Sequence, residues 1–235
     1  HINGSTSDKF PLNNPLPVWD MLAGNAAATG LLAAERYRSR TQKGQVSHLA
    51  LTDIAFNAVA NSGITAEIQV NGNQRGYTGN DIYGSYGHDF ETADNRRVMV
   101  VAVTTRMWKN LLNATDLNQT FKDFSDKENI DISDEHVRYD WRKEITKILQ
   151  PWFLERKLKE IETKLTEHGV CWDKFQTFNQ MITEDPRFSE NNAMFSNIYQ
   201  PGIGPYLAPG SPLDFSAHER LPVHPAPILG QHTNE

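Results

Sequence analysis

An α/β chain is what the sequence predicts, and three observations carry that reading. The run Val98-Met99-Val100-Val101-Ala102-Val103 is continuous and largely β-branched, as in a buried strand. Lys157–His168 sets Leu158, Ile161 and Leu165 on one helical face and stops at Gly169, which defines an amphipathic helix. Hydrophobic residues at 38% and charged residues at 22% suit a soluble, globular chain, and 235 residues suffice for one large domain or two small ones.

The elements follow in order. Residues 1–17 are polar and turn-rich, with Pro11, Pro15 and Pro17, and read as a loop arriving from an upstream element. Asp20 stands where a helix N-cap belongs, and Leu22, Ala26, Thr29, Leu32 and Ala33 follow at helical spacing. Arg36, Arg38, Arg40 and Lys43 ahead of Gly44 match a helix end; the same cations would also suit a phosphorylated cofactor. A short strand over Val46–Leu51 and an apolar helix over Asp53–Ala60 come next.

Beyond the strand at Val98–Val103, Thr105 caps a short helix carrying Trp108, Leu111 and Leu112. Residues 115–138 are charged and polar enough to read as a surface excursion. Val170-Cys171-Trp172 reads as a strand in which Cys171 is a buried structural thiol. Thr177–Glu184 forms another short helix before Asp185-Pro186. From Gln200, QPGIGPYLAPGSPLDFS holds too many prolines and glycines for a helix or a central strand, and reads as an extended strap crossing a surface.

Bulk properties exclude several classes of partner. A formal net charge of −6 argues against nucleic acid, whose phosphates need a basic face. No apolar run approaches the roughly 20 residues of a membrane-spanning helix. The single cysteine excludes an internal disulfide and suits a reducing compartment, so the expected location is cytoplasmic. The start, His1-Ile2-Asn3-Gly4, has neither an initiator methionine nor the order of a signal peptide, and the expectation is a fragment or processed piece of something longer. Sequons at Asn3, Asn113 and Asn118 read as chance matches. The histidines show no metal-ligand spacing, and no GxSxG elbow occurs.

The stretch GNDIYGSYGHDF, Gly79–Phe90, is the densest in chemistry. Its GxxxxGxxG spacing is neither a phosphate-binding loop nor a dinucleotide fingerprint. A solvated turn and a loop that closes over a reacting group both fit it. His88 beside Asp89 likewise reads either as a surface residue or as an oriented base.

Several stretches taken together resemble a known family. LPVWDMLAGNAAATGLLAAERYRSRTQKGQ, VSHLALTDIAFNAVAN, the glycine-rich loop and PGSPLDFS…PAPILGQHT follow the order of the family III CoA-transferases (CaiB/BaiF type) over nearly the whole chain. GNDIYGSYGHDF, GVCWDKFQTF and QPGIGPYLAPGSPLDFS look most like the branch of mesaconyl-CoA C1–C4 transferases, which move CoA within one molecule. The resemblance implies a Rossmann-like large domain and a small α/β domain in an interlocked homodimer. This chain would be its C-terminal part: 1–41 the end of the large domain and a connecting helix, 42–186 the small α/β domain, and 187–235 the strap returning to the large domain.

The resemblance also implies acyl-CoA and a dicarboxylic acid as substrates, with coenzyme A part of the substrate and no cofactor bound permanently. A nucleophilic aspartate would attack the acyl thioester. In the family's order that aspartate lies before His1, so no catalytic residue is expected here, and the chain alone is expected to be inactive. Asp20 matches a different family aspartate and reads as a cap. Gly79, Asn80 and Asp81 match the family's substrate loop, which shields activated acyl intermediates. Tyr83, Tyr86 and His88 are candidate contacts for the free carboxylate of a dicarboxylic acyl group. The alternatives are an intermolecular dicarboxylate CoA-transferase and a non-catalytic acyl-CoA-binding fragment.

Overall fold

The computed structural model describes residues 13–72 and 75–233, so the loop expected over the first residues lies mostly outside them. Helices and strands are mixed, as the sequence predicts. The described residues divide into two compact units: 13–72, 75–88, 101–108 and 119–145 in one, and 89–100, 109–118 and 146–233 in the other. Strands β1 (Tyr86–Glu91) and β2 (Arg97–Ala102) and helices α4 (Thr105–Thr115) and α7 (Arg142–Leu154) run from one unit into the other.

The first unit opens with α1 (Val18–Thr41), α2 (Leu51–Asn61) and α3 (Ile64–Asn71), with α2 against both neighbours. None of the three has a buried residue, and Leu31, Leu32, Phe56 and Val70 stay exposed. Asp20 is not the N-cap. Pro17 holds that position, and Asp20 lies in the first turn, where its charge still meets the positive end of the helix dipole. The helix stops at Gln42 rather than at Gly44: Gln42 takes the left-handed conformation (φ 59°) and its N–H bonds Arg38 O. The strand expected over Val46–Leu51 does not form. Residues 43–50 are irregular and exposed, no neighbouring strand pairs with them, and Leu51 already belongs to α2.

The core of this unit is aromatic. Tyr86 meets Trp108 edge-on at 5.7 Å, Trp108 meets Phe121 at 5.1 Å, and Phe124 meets Trp141 at 5.6 Å. Residues 115–138 are therefore not a surface excursion. They hold α5 (Asn118–Glu128), whose Phe121 is buried, and lead into α6 (Glu135–Asp140), whose Arg138 is fully buried. The polar composition misled because the charges of α5 cover its outer side while Phe121 and Phe124, one turn apart, face inward. Asp134 caps α6 by accepting from the His136 and Val137 N–H groups.

Arg138 donates to three carbonyls, Ile132 O at 3.2 Å, Ser133 O at 2.7 Å and Val103 O at 2.8 Å, and its guanidinium lies 5.6 Å from the Trp108 ring. Burial pulls its pKa below the ordinary arginine value, against the opposing charges of Glu135, Asp134 and Asp131.

In the second unit, the sheet order is β1-β2-β3, with β3 at Cys171–Lys174. Val98 and Val100 are fully buried, and Phe90 stacks on Phe153 at 4.1 Å. The amphipathic helix forms as α8 (Leu158–Glu167), with Ile161 and Leu165 fully buried. Gly169 (φ 63°) ends it: its N–H bonds Thr166 O while the Val170 N–H bonds Leu165 O, a Schellman closure. Cys171 is exposed rather than buried: exposure alternates along β3, and Cys171 shares the more exposed face with Asp173. The cap of α4 also shifts by one residue: Thr104 Oγ1 accepts the Met107 N–H, and Thr105 already lies in the helix.

Thr177 and Gln180 form the capping box that starts α9 (Phe178–Glu184). Part of the expected strap pairs as a hairpin of β4 (Phe195–Gln200) and β5 (Gly204–Pro209), in register Phe195↔Pro209 to Gln200↔Gly204. Prolines are tolerated in β5 because a two-stranded ribbon leaves one edge of each strand unpaired. Gln200 then pins the following segment, donating to Ala226 O and accepting the Ala226 N–H.

Arg138→Met is expected to cost about 2–4 kcal/mol in urea unfolding, because Ile132 O and Ser133 O lose this buried donor. Arg138→Lys should recover less than half, since an ammonium lacks the planar fork that reaches several carbonyls at once. Acid stability gives a second check. Arg187 donates to both oxygens of the buried Asp185 carboxylate, at 2.9 and 2.7 Å, and holds its pKa down to about 2. A depressed carboxylate stabilises the fold above its unfolded pKa of about 3.9. That contribution is lost as pH falls through about 2. Asp185→Asn should therefore lower the urea midpoint at pH 6, with the gap to wild type closing on acidification.

Candidate functional site

The loop is built from tight turns. The Asp81 N–H bonds Thr78 O at 3.0 Å, the Ile82 N–H bonds Gly87 O at 3.1 Å, and Gly79 and Gly84 take positive φ (60° and 77°). Gly87 leaves no room for a side chain: a Cβ there would lie 2.5 Å from Ile82 Cδ1. Gly79 and Asn80 are exposed at the tip, and Asp81 behind them is partly buried.

The Asp81 carboxylate is engaged on both oxygens. Oδ1 lies 2.5 Å from His88 Nδ1, and Oδ2 accepts from Arg142 Nε at 3.2 Å. His88 is thus oriented by Asp81. Successive strand residues face opposite sides, and Asp89 pairs with Arg97.

A second branch begins at Glu67. Its carboxylate accepts from Arg75 Nε at 2.6 Å and from the Tyr83 hydroxyl at 2.8 Å, while the Arg75 guanidinium lies 3.5 Å from the Tyr83 ring centre. The hydrogen bonds from Arg75 and Tyr83 hold the Glu67 pKa below its ordinary value, and the bond to Glu67 raises that of Tyr83. Tyr83 meets the Tyr139 ring edge-on at 5.1 Å, and the Arg142 guanidinium lies 4.2 Å from that ring. The two branches therefore join through Tyr83, Tyr139 and Arg142.

The structure thus brings Asp81, Tyr83 and His88 into one connected network. Tyr86 stands apart, fully buried against Trp108. Sequence reasoning missed Glu67, Arg75, Tyr139 and Arg142. Among the described residues no cluster suited to a metal ion occurs, and no helix is long and apolar enough to cross a membrane.

Residues 1–233 match the sequence pattern of CoA-transferase family III. The chain belongs to that family. Over 234 residues it is 44% identical to 2-methylfumaryl-CoA isomerase of Chloroflexus aurantiacus, a match that takes in 100% of this chain and 57% of that protein. In fold it is similar to Rv3272 from Mycobacterium tuberculosis (TM-score 0.74, 20% identity, 97% of this chain and 58% of that one). A CaiB/BaiF family protein from Brucella suis is also similar (TM-score 0.69, 19% identity, 98% and 57%). The chain therefore spans a little over half the length of the relatives it matches.

Gly87→Ala is expected to destabilise the protein by about 1–3 kcal/mol through overpacking against Ile82. Thermal unfolding of the variant checks this.

Proposed function

We propose that the protein carrying this chain moves CoA between the two carboxyl groups of 2-methylfumaryl-CoA (mesaconyl-CoA). The supporting observation is the 44% identity to 2-methylfumaryl-CoA isomerase across 100% of the chain. In this reading an aspartate carboxylate attacks the acyl thioester, the C–S bond breaks, and CoA leaves as thiolate from a mixed anhydride. The thiolate attacks the aspartyl carbonyl, giving aspartyl-CoA and the free dicarboxylate. The acid's other carboxylate then attacks aspartyl-CoA, and the returning thiolate cleaves the new anhydride, regenerating aspartate and leaving CoA on the opposite carbon. Each covalent stage splits one difficult acyl transfer into easier ones.

The nucleophile belongs, in this proposal, to the part of the relative that the chain does not span, and the chain alone is inactive. Gly79, Asn80 and Asp81 contribute the cover that keeps water from the anhydride. Glycine at the tip lets backbone N–H groups approach a developing oxyanion and lets the cover move for release. Tyr83 and His88 are held at the side of that loop, where a free carboxylate of the acyl group would be read. The apolar side chains exposed on α1–α3 support burial against a partner, as in an interlocked homodimer. A reducing cytoplasm suits the single, exposed Cys171.

The test is incubation of 2-methylfumaryl-CoA with isotopically labelled free 2-methylfumarate. Transfer between the two carboxyl positions without label in the product is the expected result. Label in the thioester would make the enzyme intermolecular, and no transfer at all would overturn the proposal. Gly79→Val, which forces a β-branched residue to φ 60°, should raise thioester hydrolysis or abolish transfer.

A further inference from the structure

Helix α7 opens on Arg142 and Lys143, cations at the positive end of the helix dipole. That placement is unfavourable for the helix, so other contacts must hold Arg142 there. Three do so: Nη1 donates to Tyr139 O at 2.7 Å, the guanidinium lies 4.2 Å from the Tyr139 ring centre, and Nε donates to Asp81 Oδ2 at 3.2 Å. Asp81 passes the constraint on. Its backbone N–H closes the turn on Thr78 O, and its other carboxylate oxygen lies 2.5 Å from His88 Nδ1. A contact between residues 61 positions apart therefore ties the start of α7 to the tip of the glycine-rich loop.

We propose that Arg142 is a positioning residue for CoA transfer: through Asp81 it holds the Gly79–Asp81 turn closed over the activated acyl group. This rests on the CoA-transfer reading. Arg142 exchanges no proton and forms no bond to substrate; it acts by fixing the cover. Every anhydride formed is intercepted either by CoA thiolate or by water, and a loosened turn raises the share taken by water.

The test measures transfer and hydrolysis of 2-methylfumaryl-CoA side by side in the protein as its source makes it. Arg142→Gln should raise the hydrolysis-to-transfer ratio about tenfold or more, as small misplacements near a reacting group do, with KM little changed. Arg142→Lys should fall between, because a point charge lacks the planar fork. Asp81→Asn should raise the ratio at least as much, because it also disturbs the His88 contact, and the double variant should be no worse than Asp81→Asn, since both changes break the Arg142–Asp81 contact. An unchanged ratio in folded Arg142→Gln, or a double variant whose effect is the product of the singles, overturns the proposal. Should Arg142→Gln fail to fold, Asp81→Asn carries the test alone, and an unchanged ratio there is equally fatal. If the wild type transfers no CoA, the functional reading fails separately. Amide hydrogen exchange at residues 79–82 then decides: faster exchange in Arg142→Gln supports the anchor, and equal exchange overturns it.

Discussion

The carbonyl of Val103 is the point on which the first unit depends. It follows the last residue of β2 and accepts from Ser85 Oγ at 2.9 Å and from Arg138 Nη2 at 2.8 Å. This partly buried carbonyl is met by donors from the end of the glycine-rich loop and from α6. Satisfying one acceptor thus fixes the loop at its C-terminal side and holds a fully buried guanidinium beside Trp108. A buried cation without its acceptors would be costly, so the segment around Ile132 and Ser133 must turn its carbonyls inward to meet Arg138.

The loop is then held at its other side by Asp81. Asp81 is engaged through both carboxylate oxygens, by His88 Nδ1 and by Arg142 Nε. Its backbone belongs to the tip while its side chain belongs to the scaffold. Exposed backbone at Gly79 and Asn80 is thus backed by a fixed root. The Glu67–Arg75–Tyr83 branch stiffens the same root from the α3 side, in a setting where aromatic rings and guanidinium planes hold one another at low entropic cost.

Helices α1–α3 present the opposite situation. They carry well-placed apolar side chains that find nothing to cover them within the described residues. Most helical stability comes from burying one face, and within the described residues these three helices bury none.

Local rules were enough for much of this protein. The period of Lys157–His168, its glycine stop, the β-branched run at Val98–Val103 and the short helix over Thr177–Glu184 were all legible, because their signals lie within a few residues of one another. The glycine-rich loop was legible as a feature, and family resemblance attached a role to it. Where a signal depended on distant partners, sequence reasoning failed. Val46–Leu51 has strand-like residues but no strand to pair with among the described residues; Cys171 has apolar neighbours but lies on the exposed face of β3. Residues 115–138 look solvated, yet Phe121 and Arg138 close a core. The site shows the same division. Its glycines and Asp81 are contiguous in the chain, but Glu67, Arg75, Tyr139 and Arg142 reach them only after folding. Ion pairs, ring contacts and carbonyl acceptors act over ångströms whatever the separation in sequence, so those choices were left to the tertiary structure.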